Sequence, residues 1–195
     1  MLVGEEEICP LGKAYNAHGD GTNFDLRGDF GLMFAAARAG CGEGRRRNGS
    51  KRGENLIDVG LVGFGLGGRC FHAPVIRAVK GLRLAAIVQR TGDEAKNAYP
   101  EARIARSLDK LLDIDTIRLV VISTPNQTHF PFALRCLQSG RDVVVDKPFT
   151  NTVQEATELV QTAKRLRRVM TVYHDRRFDA DFQARLSRQV VRRVR

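Results

Sequence analysis

Short apolar runs alternate with amphipathic segments along the chain from Leu56 onward. The first run, LIDVGLVGF, is bounded by glycine and is typical of a central parallel strand that is buried on both faces. Strands are predicted at 56–64, 82–90, 102–105, 116–124, 141–148 and 168–174. Because helical segments with short connectors separate these strands, the pattern predicts an α/β fold. The expected architecture is a doubly wound parallel sheet of the Rossmann type, with helices on both faces.

The intervening helices are predicted at 68–80, 93–100, 107–113, 127–140 and 150–167. Ser107 is placed to cap the third helix, and Gly140 supplies a left-handed stop for the fourth. Pro74 lacks an amide hydrogen, so it fits only the opening turns of the first helix. In the last helix one apolar stripe is predicted to face the core: Val153, Ala156, Leu159, Val160 and Ala163.

The two ends of the chain differ from this patterned region. Residues 1–55 hold 11 of the 19 glycines and show no sustained period, which predicts a poorly structured extension. The expected organisation is therefore an irregular segment 1–55, a Rossmann-type domain 56–182 and a basic tail 183–195. The net charge is +10, and residues 161–195 carry 11 basic and 3 acidic side chains.

Composition excludes several classes of function. The concentrated basicity could attract nucleic acid or acidic lipid, but the segment has few aromatic residues and matches no nucleic-acid module, so nucleic acid is not an expected partner. No apolar run reaches the length of about 18 residues that a membrane span needs, and the N-terminus has no basic signal-peptide region, so a cytoplasmic location is expected. The four cysteines show no C-x-x-C spacing, so neither a metal site nor a disulfide framework is predicted.

A glycine-rich turn separates the first predicted strand from the first predicted helix. Its glycines at 63, 65 and 68 fit the spacing G-x-G-x-x-G. Gly63 would allow the tight turn, Gly65 would let a pyrophosphate approach the backbone, and Gly68 would allow the helix to pack closely on the strand. The main chain of this turn is therefore predicted to bind a dinucleotide, and the alternative is a plain connecting turn. The residues concerned are Gly63, Phe64, Gly65, Leu66, Gly67 and Gly68.

The end of the second predicted strand bears on which dinucleotide binds. An NAD site usually has Asp or Glu there, but this chain has Gln89, Arg90 and Thr91. Arg90 could pair with a 2′-phosphate and Thr91 could donate a hydrogen bond to it, which favours NADP. Asp93 follows two or three residues late, so NAD remains the alternative.

Three separated segments resemble the glucose–fructose oxidoreductase/inositol dehydrogenase (Gfo/Idh/MocA) family. They are GLVGFGLGGRCFHAPVI, VVISTPNQTHFPFALRCLQSGRDVVVDKPFT and VYHDRRFDADF, in that order. The likeness spans about residues 57–182. It implies an NAD(P)-dependent oxidoreductase that transfers a hydride to or from a sugar, an inositol or a related alcohol, with a small-molecule substrate and an oligomer in full-length relatives.

The same resemblance assigns coenzyme contacts to the second segment. The family's T-P-N-x-x-H stretch falls on Thr124, Pro125, Asn126 and His129, at the carboxyl end of a predicted strand. Parallel sheets place their ligands at the carboxyl ends of strands, which agrees with this assignment. The alternative is a turn followed by a histidine that begins the next helix.

The family's E-K-P stretch appears here as Asp146, Lys147 and Pro148. The resemblance implies that Lys147 is catalytic and contacts both the substrate hydroxyl and the nicotinamide ribose, with Asp146 beside the cofactor. An ammonium group at a strand end can stabilise a developing alkoxide, and Pro148 is predicted to be cis. The third segment similarly places Tyr173 and Arg176 at the substrate cleft. The alternatives are a surface lysine before a turn and a strand end with solvated charges.

Relatives in this family continue into a second α/β domain that carries much of the substrate site. The residues before 56 and after 182 do not resemble the family, so we expect a truncated chain that holds mainly the nucleotide-binding half. The alternative function is a non-catalytic nucleotide-binding or interaction module left by that truncation.

Overall fold

The computed structural model describes residues 56–174 and the single residue Ala184. The irregular segment expected at 1–55, the tail expected at 183–195 (apart from Ala184) and Arg176 lie outside the described residues. Within them, no helix is long and apolar enough to cross a lipid bilayer.

The strands form one parallel sheet in the order β3-β2-β1-β4-β5-β6, which confirms the predicted doubly wound α/β architecture. The strands are β1 (Ile57–Val62), β2 (Leu82–Val88), β3 (Arg103–Ala105), β4 (Ile117–Ile122), β5 (Asp142–Val145) and β6 (Met170–Val172). Every residue of β1 is buried, as expected for a central strand with helices on both faces.

The helices are α1 (Ala73–Ala78), α2 (Glu94–Ala98), α3 (Leu108–Leu112), α4 (His129–Gln138) and α5 (Val153–Leu166). A π-helical turn (Gly68–His72) leads into α1, and a 3-10 turn (Asn126–Thr128) leads into α4. The local signals behave as predicted at three points. Pro74 lies in the first turn of α1, Ser107 caps α3 by accepting from the Lys110 amide, and Gly140 follows α4 with a φ of 76°.

The apolar stripe predicted for α5 is wrong in part. Val153 is 81 % exposed and Val160 is 39 % exposed, whereas Leu159, Thr162 and Ala163 are buried. The helix begins at a capping box in which Thr152 and Glu155 satisfy each other's backbone amides, and it packs against α4. That docking turns the helix so that Thr162 faces inward in place of the two valines.

The sheet topology brings three strand ends together. The strand order reverses between β1 and β4, and ligands of such sheets bind outside the carboxyl ends of the strands at that point. Val62, Ile122 and Val145 lie side by side as the last residues of β1, β4 and β5. The residues that follow them therefore meet at one edge of the sheet, above a core that fills both faces.

Candidate functional site

The glycine turn after β1 is closed on one side and open on the other. A Cβ atom at Gly63, whose φ is 101°, would overlap the carbonyl oxygen of Ser123, and a Cβ at Gly68 would overlap the carbonyl oxygen of Gly63. A Cβ at Gly65 would meet nothing within 4 Å, and this residue is exposed. The turn thus packs tightly against the ends of β1 and β4 and leaves its main chain accessible at Gly65.

The helical turn that follows the glycines places the side chain of His72 in the protein interior. The amide of Ala73 donates to the carbonyl of Gly68, five residues back, which gives the helix one π-type turn before Pro74. The ring of His72 is 1 % exposed and stacks at a tilt on Tyr173, with 4.3 Å between ring centroids.

Asp146 joins three segments at the carboxyl end of the sheet. Its Oδ2 atom lies 3.1 Å from Nε2 of His72 and accepts from the Ser123 hydroxyl at 3.3 Å, while its Oδ1 accepts from the Lys147 amide at 2.8 Å. Burial alone would raise the pKa of this carboxyl, but the hydrogen bonds from His72, Lys147 and Ser123 outweigh it and hold the pKa below its usual value. Asp146 is thus an ionised carboxylate that is held by protein groups.

Lys147 lies at the same edge, directly after Asp146. Its side chain is exposed, and the peptide bond between Lys147 and Pro148 is cis, as predicted. The carbonyl of Pro148 lies 2.7 Å from Nδ1 of His129, whose Nε2 lies 2.8 Å from the Thr124 carbonyl. His129 therefore links the loop after β4 to the loop after β5.

The residues assigned to the coenzyme after β4 divide into two groups. Pro125 and Asn126 are exposed, and Thr124 is partly exposed with its hydroxyl 2.6 Å from that of Thr128. The ring of His129 is buried, and both of its nitrogens face main-chain carbonyls. His129 also begins α4, so its position fits the structural alternative and leaves its ring no free edge for a coenzyme.

The turn after β2 carries Arg90 and Thr91, and both are exposed. The two carboxylates beside them have partners. Asp93 pairs with Arg106 at 2.9 Å, and Glu94 accepts a hydrogen bond from the side-chain amide of Gln89. Both acidic side chains near the end of β2 are therefore bound to other side chains.

Tyr173 is 3 % exposed and packs against His72, and its assignment to the substrate cleft stays a prediction. Sequence reasoning missed three residues that contribute to the site: His72, Ser123 and Arg106. Ser123 had a signal, because it lies at the carboxyl end of a predicted strand, directly before Thr124. His72 and Arg106 had none, since their contacts depend on how distant segments pack.

Among residues 56–174, no cluster of three or more His, Cys, Asp or Glu side chains is arranged to hold a metal ion.

A classical Rossmann strand order, an open glycine turn at the point where that order reverses and polar residues at neighbouring strand ends define a dinucleotide-binding domain. Residues 57–174 match the model of the GFO_IDH_MocA family, an oxidoreductase family with an NAD-binding Rossmann fold. The chain belongs to this family, as the resemblance implied.

Several relatives show how much of the chain this likeness covers. The uncharacterised oxidoreductase YdgJ of Escherichia coli is 44 % identical over 126 residues, which are 65 % of this chain and 36 % of YdgJ. The scyllo-inositol 2-dehydrogenase (NADP(+)) IolW of Bacillus subtilis is 33 % identical over 132 residues, which are 68 % of this chain and 37 % of IolW. The crystal structure of an oxidoreductase from Bacillus cereus superposes with a TM-score of 0.65 at 32 % identity, covering 71 % of this chain and 40 % of that one. The chain thus spans little more than a third of the length of the curated relatives it matches.

Proposed function

We propose that this domain binds NADP in preference to NAD and serves an oxidoreductase that acts on a sugar, an inositol or a related alcohol. The observation that carries the proposal is the open main chain at Gly65, between two glycines that are tightly packed, at the sheet edge that also presents Lys147. A phosphate needs this arrangement, because it must approach backbone amides more closely than any side chain would allow.

The residues around the turn fit a dinucleotide. The main chain from Gly63 to Gly68 would hold the pyrophosphate, with exposed Pro125 and Asn126 and part of Thr124 along the same edge. Arg90 and Thr91 would hold the 2′-phosphate of NADP, since a guanidinium and a hydroxyl both donate to phosphate oxygens. The pairing of Asp93 and Glu94 with other side chains supports this choice. The relative IolW is itself named for NADP(+).

Lys147 is the residue that would act on the substrate. Its exposed side chain follows closely after the end of β5, and its own amide is fixed by Asp146. When bound, the coenzyme supplies or accepts the hydride. Lys147 would hold the reacting hydroxyl and stabilise negative charge that develops on its oxygen. Asp146 would act through Lys147 and the glycine turn, because its carboxylate accepts from the Lys147 amide and contacts His72 on the helical turn that follows the glycines.

Calorimetric titration of the full 195-residue chain with NADPH and NADH tests the proposal. We expect both to bind, with NADPH tighter. The absence of measurable binding by either nucleotide would overturn the proposal, and clearly tighter binding of NADH would overturn the assignment of Arg90.

A second measurement addresses turnover. Reduction of NADP is followed with a panel of inositols, sugars and polyols, for the chain itself, for Lys147→Met and for the control Lys96→Met, which replaces an exposed lysine of α2. We expect Lys147→Met to keep its affinity for NADPH and to lose turnover, while Lys96→Met keeps both. Tight binding of NADPH without turnover by the unmodified chain would favour a non-catalytic nucleotide-binding module.

A further inference from the structure

We infer that Arg106 sets the coenzyme preference of this site as a positioning residue, by fixing the turn that carries Arg90 and Thr91 and by neutralising Asp93. The inference rests on the proposed binding of NADP. It concerns a residue that would act without contacting the 2′-phosphate itself. Sequence motifs give no sign of this role, because Arg106 follows β3, whereas the turn follows β2.

The position of Arg106 follows from strand pairing. It comes directly after β3, and β3 pairs in parallel with the end of β2. The amide of Gln89 donates to the carbonyl of Ala105 at 3.0 Å, which extends this pairing by one residue. Arg106 therefore emerges beside the turn that leaves β2.

The guanidinium group of Arg106 holds that turn on both sides. Its Nη1 atom donates to the carbonyl of Gly92 at 2.6 Å and to the carbonyl of Gln89 at 3.3 Å. These two carbonyls flank Arg90 and Thr91 in the sequence. Gly92 has a φ of 78°, a backbone conformation that favours glycine, so the course of the turn depends on glycine at this position. One planar group thus fixes the main chain before and after the two exposed residues.

The same guanidinium group neutralises Asp93, the first acidic side chain after the turn in the sequence. Its Nη2 atom lies 2.9 Å from Oδ1 of Asp93. A free carboxylate at the end of β2 favours NAD, because it accepts hydrogen bonds from the ribose hydroxyls and repels a 2′-phosphate. Bound to Arg106, Asp93 is less available for the first interaction, and its repulsion of the phosphate is reduced. Glu94, the other carboxylate beside the turn, is already engaged by Gln89.

The test compares the affinities of Arg106→Leu for NADPH and NADH with those of the unmodified chain. We expect the preference for NADPH to fall by about tenfold, since both the fixed turn and the neutralising charge are lost. Most of the change should lie in weaker NADPH binding, with NADH binding unchanged or tighter.

The matched control is Arg135→Leu. Arg135 is in the last turn of α4 and pairs with Asp109, and its side chain is 51 % exposed, as is that of Arg106. The control thus removes an equally exposed guanidinium from a similarly exposed ion pair that does not include Asp93. It should leave the ratio of the two affinities unchanged.

Two further variants separate the two effects of Arg106. Adding Asp93→Asn to Arg106→Leu removes the released carboxylate and should restore part of the NADPH affinity. Arg106→Lys keeps the positive charge, but a single ammonium group cannot bind two carbonyls and a carboxylate as the planar guanidinium does. The ratio of NADPH affinity to NADH affinity should therefore lie between those of the unmodified chain and Arg106→Leu.

The outcomes distinguish this inference from the proposed function. A chain that prefers NADPH, and whose Arg106→Leu variant keeps the same ratio or weakens both nucleotides equally, would overturn the role of Arg106 alone. A chain that prefers NADH would overturn the proposed coenzyme, and the role of Arg106 with it.

Discussion

The Nε2 atom of His72 lies 3.1 Å from Oδ2 of Asp146, although 74 residues separate them in the sequence. His72 is on the helical turn that follows the glycine motif, and Asp146 immediately precedes Lys147. Because Nδ1 of His72 has no hydrogen-bond partner among the described residues, the bond to Asp146 is the polar contact that holds the ring there. This pair connects the part of the site that would bind the pyrophosphate to the part that would act on the substrate.

Replacing Asp146 with asparagine should destabilise the protein by about 1–3 kcal/mol at neutral pH, because an amide nitrogen would then face groups that themselves donate. The folded-state pKa of Asp146 is lowered, so its stabilising contribution is present above the unfolded pKa of about 3.9 and is lost as pH falls through the folded value. The difference between the unmodified chain and Asp146→Asn should therefore shrink in that acidic window.

Urea unfolding across this pH range measures the effect. Asp113→Asn, which removes a carboxylate that is 66 % exposed and pairs with Lys110, should change stability by no more than about 1 kcal/mol. An Asp146→Asn variant as stable as the unmodified chain at neutral pH would show that the contacts of Asp146 do not stabilise the fold.

A second acidic residue, Asp58, is buried within β1 near the opposite end of the sheet. Arg83 of β2 binds it through two hydrogen bonds of 2.6 and 2.7 Å, and the hydrogen bond from Arg83 is the largest influence that holds the pKa of Asp58 below its usual value. Arg83→Leu should lower the free energy of unfolding by about 1–3 kcal/mol at pH 7, because a buried carboxylate loses its main donor.

The pH dependence of the Arg83→Leu variant has a definite sign. Without the guanidinium group, burial raises the pKa of Asp58, so protonation relieves the buried charge and the deficit in stability narrows as pH falls. Arg118→Leu, at an exposed position of β4, is the control for loss of a surface charge. A deficit that is independent of pH would indicate that Arg83 acts through packing alone.

The two described cysteines should react very differently with alkylating reagents. Burial raises the pKa of the Cys136 thiol to about 12, whereas Cys70 is exposed on the turn before α1. At pH 8 a thiol of that pKa is ionised in only about one molecule in ten thousand, and the thiolate is the reactive form. Iodoacetamide followed by peptide mapping should therefore find Cys70 modified and Cys136 intact in the folded chain. Equal labelling of both would mean that α4 opens readily.

Local features of the site could be predicted from the sequence because each depends on neighbours along the chain. The strand, the glycine turn and the helix from Ile57 to Ala78 follow from an apolar run, three spaced glycines and a proline that must lie early in a helix. The cis bond before Pro148 likewise belongs to a motif of consecutive residues.

Long-range features could not be predicted in this way. The contacts of Arg106 depend on the pairing of β3 with β2, and the bond between His72 and Asp146 depends on the packing of a helix over the end of β5. The stripe on α5 failed for a related reason. The helical spacing of apolar residues is compatible with more than one face of α5 being turned toward the core. The packing of α5 against α4 decides which face is buried, so that Thr162 is buried and Val153 is exposed.

Alanine substitutions at Gly65 and Gly68 distinguish an effect on coenzyme affinity from an effect on stability. The added methyl group is the same in both variants, but its surroundings differ. At Gly65 a methyl group would project into open space, so Gly65→Ala should fold with little change in stability. That methyl group would occupy the surface that a pyrophosphate must approach, so affinity for NADPH should fall by about tenfold or more. Gly68→Ala would instead force a methyl group against the carbonyl of Gly63, and we expect it to destabilise the protein by about 1–3 kcal/mol. Thermal unfolding and calorimetric titration of the two variants measure both quantities. If Gly65→Ala bound NADPH as tightly as the unmodified chain, the phosphate would have to bind elsewhere, and the assignment of the glycine turn as the coenzyme site would be lost.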